Sequence, residues 1–116
     1  MLKTNNYRNE DYLKFVRNQD CVVDGNNINT VSHHVRINQN GGMGLKPSDY
    51  RVIPLNWKRH SELHTIGEKS FYKKYGIDEN LIITCYLCKY ILQQLKPSRE
   101  VIEDLEKIIE NSKTRL

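Results

Sequence analysis

No stretch of this sequence approaches the roughly 18 consecutive apolar residues that a membrane-crossing helix needs. The longest apolar region, around positions 81–95, is broken by Lys89, Gln93 and Gln94. The opening segment MLKTNNYRNEDY lacks the apolar core of a secretory signal, so neither a membrane partner nor export is expected. Cysteine is scarce too. Three of them, an odd number, do not make a disulfide framework and fit a reducing compartment, so a cytoplasmic protein is the expectation. Internal repeats and low-complexity segments are also missing, and 116 residues suffice for one modest core. The chain reads as a single domain over residues 1–116.

What is present is an ordinary globular balance, 38% hydrophobic and 28% charged, with a formal net charge of +4. That charge and an isoelectric point near 9.0 permit nucleic-acid binding without demanding it. Asn9 is placed to cap a helix over residues 10–17, with Tyr12, Leu13 and Val16 on one face. After a turn at Asp24-Gly25, the even spacing of Val31, Val35 and Ile37 predicts a strand within 29–37. Residues 39–48 carry Gly41, Gly42, Gly44 and Pro47 and read as a loop. A second strand follows over 50–55, then helices over 57–66 and 68–75, stopped by Gly67 and Gly76. Asp78 opens a helix over 79–95 that Pro97 ends. Ser98 caps the last helix, whose stripe Val101, Ile102, Leu105, Ile108 and Ile109 suits either its own core or a homodimer. The expected class is α+β, a two-stranded hairpin and helix embedded in a mainly helical domain.

All four histidines lie in the strand–loop–strand–helix block. His60 and His64 are four apart on a helix, so their imidazoles leave the same face, the spacing by which a helix offers two ligands to one metal. His33 and His34 are adjacent on a strand, where neighbouring side chains point to opposite faces. Either an irregularity brings both to one centre, or they act from different sides. An isolated pair four apart is often incidental; the confinement of every histidine to this block is what raises a shared metal site.

The segments HHVRINQNGGMGLKPSDYRVIPL and RHSELHTIGEKSF resemble the HNH, or ββα-metal, nucleases of phages and prophages related to the recombination-enhancement nuclease family. The resemblance covers residues 12–77 and leaves residues 79–113 as a helical extension. It implies a metal-dependent DNA endonuclease of the phage or prophage world, in which His34 is the general base and His33, His60 and His64 are the metal ligands. Colicin-type nucleases show a similar adjacent histidine pair with a helical H-x-x-x-H. Asp49 falls near the middle asparagine of HNH proteins, at an unusual spacing, and is a candidate to orient a histidine. Many relatives also carry a zinc knuckle; its positions here are Cys21, Asp24, Asn56 and Arg59, a poor zinc set, so no structural zinc is expected. Cys85 and Cys88 form another C-x-x-C inside an apolar helix and read as core residues.

The implied chemistry is phosphodiester hydrolysis with one divalent ion. Three nitrogen ligands suit zinc, nickel or manganese, while magnesium prefers oxygen. Arg36 shares a strand face with His34 and is either a phosphate clamp or a solvated residue. Lys46, Arg51, Lys58, Arg59 and Lys69, with Lys73 and Lys74, are candidate contacts to the DNA backbone. Little sequence specificity is expected, because nothing resembles a base-reading helix. Two other readings stay open: a catalytically silent DNA-binding descendant of a nuclease, and a structural metal-binding protein.

Overall fold

The computed structural model of the protein describes residues 7–37, 46–94 and 98–115, with side chains to residue 112. Its elements run α1 (Glu10–Arg17), β1 (Val31–His34), β2 (Val52–Leu55), α2 (Trp57–Ile66), α3 (Glu68–Tyr75), α4 (Glu79–Gln94) and α5 (Arg99–Arg115). The class is α+β, with the described residues forming helices around one antiparallel two-stranded sheet. None of these helices is long and apolar enough to cross a membrane. The glycine-rich part of the loop expected over 39–48 lies outside the described residues, as does Pro97.

Local chemistry explains the element ends. Asn9 is extended (φ −155°), and its side chain accepts the Tyr12 N–H, satisfying a donor that the first helical turn leaves over. Glu10 and Asp11 in the first turn of α1, with Lys14 and Arg17 in its last, complement the helix dipole. Gly67 separates α2 from α3 at φ 93°, a conformation strained for any other residue. Its N–H closes on the Leu63 carbonyl at 2.8 Å, and α3 folds back on α2. Gly76 ends α3 in the left-handed conformation.

The hairpin pairs Val31 with Leu55, His33 with Ile53 and His34 with Val52. It is shorter than the alternation suggests. Asn29 adopts a positive φ of 51° before β1, and beyond His34 the ladder ends after a last bond from Val35 N–H to the Arg51 carbonyl. β2 tolerates Pro54, which has no N–H, in a sheet of only two strands. The Pro54 carbonyl accepts the Val22 N–H at 3.1 Å, so the 20s loop covers that edge. All four β2 residues are buried because α1, α2 and α4 all pack on the strand, which is why VIPL is continuously apolar.

Val35, Ile53, Leu55, Leu63, Phe71, Tyr72 and Ile82 form the main core, and Tyr12, Val16 and Val52 a second cluster. Cys85 and Cys88 are buried, free thiols on α4. Burial pushes the Cys88 thiol above its usual pKa, as for a packing residue rather than a reactive one. The apolar stripe of α5 lies on α4, with Ile102, Leu105, Ile108 and Ile109 half-buried and Val101 exposed. Part of this stripe thus rests on an intramolecular surface.

Candidate metal centre

β1 and α2 bring three histidines together. His33 faces inward from β1, while Leu63, buried on the core side of α2, holds that helix against the hairpin. His60 and His64 then project beside His33, and one ligand atom from each lies within 4.8 Å of the other two. The Nε2 atoms of His60 and His64 are 3.1 Å apart, so at most one of the two can donate to the other. His33 Nε2 is buried without a hydrogen-bond partner. Glu68 Oε2 is 3.4 Å from it, within ion-pair reach but without hydrogen-bond geometry.

These features fit a divalent metal. A buried nitrogen whose neighbouring acceptor, Glu68, is out of hydrogen-bond geometry is costly unless something else completes it. Two nitrogens bound to one tetrahedral zinc at about 2.0–2.1 Å stand roughly 3.3 Å apart, close to the spacing of the helical pair. Burial, then repulsion from His33 and His64, pushes the pKa of His60 down to about 4, so at neutral pH it presents a lone pair rather than a charge. His33 is buried, His60 half-buried and His64 exposed, so the cluster opens to solvent on the His64 side.

His34 belongs to a separate constellation. Regular pairing continues through both histidines, so they face opposite sides of β1, the second of the two alternatives open from sequence. Its Nε2 meets Asp49 Oδ1 at 2.9 Å. Asp49 is 3% exposed and accepts the Asn9 N–H on its other oxygen at 2.8 Å, and an Arg8 nitrogen stands 3.7 Å away. Arg8 also donates to the Pro47 carbonyl, fastening this loop to the N-terminal segment. Burial works to raise the Asp49 pKa, but the bonds from His34 and Asn9 outweigh it and hold the carboxyl below its usual range. Burial keeps His34 below its own usual value, against the pull of Asp49. An ionised carboxylate only accepts, so Nε2 of the neutral ring carries the proton and Nδ1 is left as a base.

The other candidates divide. Lys46, Lys58, Lys69 and Lys73 are exposed, and the Arg36 residue is exposed beside β1. Arg51 and Arg59, expected on phosphate, are instead engaged within the protein. Arg51 donates to the Ile37 carbonyl at 3.0 Å. Arg59 grips both oxygens of Asp24 and reaches Glu62 at 3.0 Å and the Tyr75 hydroxyl at 2.9 Å. Lys74 pairs with Glu62, whose pKa the bonds from Lys74, Tyr75 and Arg59 lower to about 2. Asn56 adds its amide to Asp24 at 2.7 Å. At three of the four positions where the resembled nucleases hold a zinc knuckle, this chain therefore has mutually bonded side chains.

Glu68 was not singled out from sequence. It begins α3, accepts the Arg36 N–H on both oxygens (3.0 and 3.1 Å) and takes the Tyr72 hydroxyl at 2.6 Å. Burial opposes its ionisation, but contact with His33 and the bond from Tyr72 prevail and hold it below its usual pKa. The signal was the GEKSF segment: a glycine stop followed at once by an acid places that acid at a helix start beside the preceding turn.

A hairpin and a following helix that converge three histidines define a candidate metal-binding centre. The chain belongs to the family described as "Protein of unknown function (DUF968)", which matches residues 2–91 and so spans α1 through most of α4. It is also similar to "Uncharacterized protein YdfU" of Escherichia coli (strain K12), with 40% identity over 73 residues that make up 63% of this chain. The matched stretch spans only 20% of that protein's length. No solved structure matches the chain.

Proposed function

We propose that this protein is a metal-dependent DNA endonuclease of the HNH type, hydrolysing phosphodiester bonds with little sequence preference. The observation that carries this reading is the convergence of His33, with its buried unpartnered Nε2, on His60 and His64. Those three residues would hold one divalent ion, zinc, nickel, manganese or magnesium, which when bound supplies Lewis-acid stabilisation of the charge developing on phosphate and leaving oxygen. Acting from the other face of β1, His34 would take the proton of the attacking water on Nδ1, while Asp49 fixes the tautomer and stabilises the imidazolium that forms. The hydroxide so generated attacks phosphorus, and the departing 3′ oxygen takes its proton from solvent. The exposed Lys46, Lys58 and Lys69, together with Arg36, would hold the DNA backbone through phosphate contacts that carry no sequence information. The cysteine usage supports a cytoplasmic setting, and a role in phage or prophage DNA processing rests on the resemblance alone.

A second reading, a structural metal site closed entirely by protein, draws on Glu68 standing 3.4 Å from His33. Against it, that carboxylate already accepts from Arg36 and Tyr72, and His64 leaves one side open. The test of the nuclease reading is nicking of supercoiled plasmid by metal-loaded protein. His34→Ala is expected to lower the rate by roughly 10²–10⁴-fold while metal remains bound. Undiminished cleavage by that variant removes His34 as the base.

A further inference from the structure

The histidine-bearing face of α2 carries one more large group. Trp57 precedes His60 and His64 by three and seven residues, a spacing that lines all three side chains along one helix face. Its residue is 57% exposed, the most open of the large hydrophobic residues among those described. Beside it Ile28 is 53% exposed, and the Trp57 N–H points to the Ile28 carbonyl at 3.4 Å. Both line an open cavity of about 540 Å³ with Asn26, Asn56, Lys58 and the Asp24–Arg59 pair. Arg59 is held by Asp24 and by Glu62, so Lys58 is the cation that this rim leaves for a phosphate.

An indole held in water next to the exposed Lys58, one helical turn from the candidate metal centre, offers a flat apolar surface and a phosphate contact together. That combination recognises an unpaired nucleobase, which stacks on aromatic faces irrespective of its identity. In a closed duplex each base already stacks on its neighbours and is not available. We propose that Trp57, with Ile28, is a stacking ledge for an unpaired base beside the phosphate at the histidine centre, so that single-stranded nucleic acid is the favoured ligand. The proposal rests on the nuclease reading and names its substrate class. Trp57 is here a positioning residue.

The experiment uses the single tryptophan of the chain as its reporter. The protein in EDTA, where no cleavage occurs, is titrated with end-labelled oligothymidine and, separately, with a closed dumbbell duplex. Anisotropy of the label gives occupancy, and Trp57 emission gives stacking. Oligothymidine is expected to quench Trp57 in step with occupancy, and the dumbbell to bind with little quenching. Trp57→Ala is expected to weaken oligothymidine binding roughly 5- to 100-fold, with Trp57→Phe restoring much of it. Binding with unchanged emission, equal quenching by the dumbbell, or an unaffected Trp57→Ala variant each overturn the ledge. So does an emission shift on raising protein concentration alone, which assigns the surface to a second copy. If single strands neither bind nor quench while metal-loaded protein still nicks plasmid, the ledge falls and the nuclease reading stands.

Discussion

Replacing Asp49 by asparagine changes one oxygen to a nitrogen and, by the geometry here, reverses the chemistry of His34. Asp49 has two demands on it: the Asn9 N–H needs an acceptor at 2.8 Å, and His34 Nε2 needs one at 2.9 Å. An asparagine has one carbonyl oxygen. If that oxygen stays with the Asn9 N–H, the amide NH2 faces His34 and Nε2 must become the acceptor. The ring proton then moves to Nδ1, the atom that otherwise receives the proton of water. If the amide turns the other way, its NH2 opposes the Asn9 N–H, and two donors meet in a site 3% exposed. The expected loss is therefore that of a general base, roughly 10²–10⁴-fold in single-turnover plasmid nicking with saturating metal. The stability loss is modest by comparison, about 1–3 kcal/mol for a buried hydrogen-bonded carboxylate weakened to an amide. Metal affinity should not change, because His33, His60 and His64 make no bond to Asp49. Nicking within about threefold of the unaltered protein would refute the tautomer argument, since a general base contributes far more than that. A matching loss of metal would show instead that the two constellations are one.

Three further outcomes follow from the same contacts. Leu63→Ala, at a 2% exposed position on the core side of α2, should cost about 2–5 kcal/mol in urea denaturation and weaken metal binding, because that side chain holds the helical histidines against β1. Metal-free protein should lose stability in mild acid: His60 has a pKa of about 4 in the fold against 6.5 when free, so its unfolded form binds the proton first. That contribution is fully present above pH 6.5 and lost as pH falls toward 4, and His60→Gln should flatten the difference between Tm at pH 7 and pH 4.5. A thiol reagent should find no fast-reacting group in the native protein and three after denaturation, since Cys21, Cys85 and Cys88 are all buried; a fast native reaction would count against the core role of the C-x-x-C.

The elements were legible where caps and stops are chemical. Asn9, Gly67 and Gly76 set the bounds of α1, α2 and α3 as the sequence suggests, because a side-chain cap and a glycine at positive φ act locally. The strands were less so. Val35 keeps the alternation and is fully buried, yet residue pairing ends at His34 and only the Val35 N–H still bonds across, a matter of pairing across the hairpin that no local pattern encodes. The histidine spacing on α2 was readable for the same reason as the caps. The resemblance suggests that Asp49 orients a histidine, but that the histidine is His34, 15 residues back across the loop, depends on the hairpin closing. The fate of Arg59 was not readable at all: its partners Asp24 and Tyr75 lie 35 and 16 residues away, and a surface arginine waiting for phosphate looks the same in sequence as one already paired.

The central claim is a three-histidine metal centre with room for phosphate, and X-ray absorption at the edge of a bound zinc or nickel ion tests it most directly. The account predicts one ion per chain, three imidazole nitrogens at about 2.0–2.1 Å, and an oxygen shell that changes when a non-cleavable oligonucleotide is added. A coordination sphere filled by protein, with Glu68 as fourth ligand and no response to nucleic acid, would contradict it.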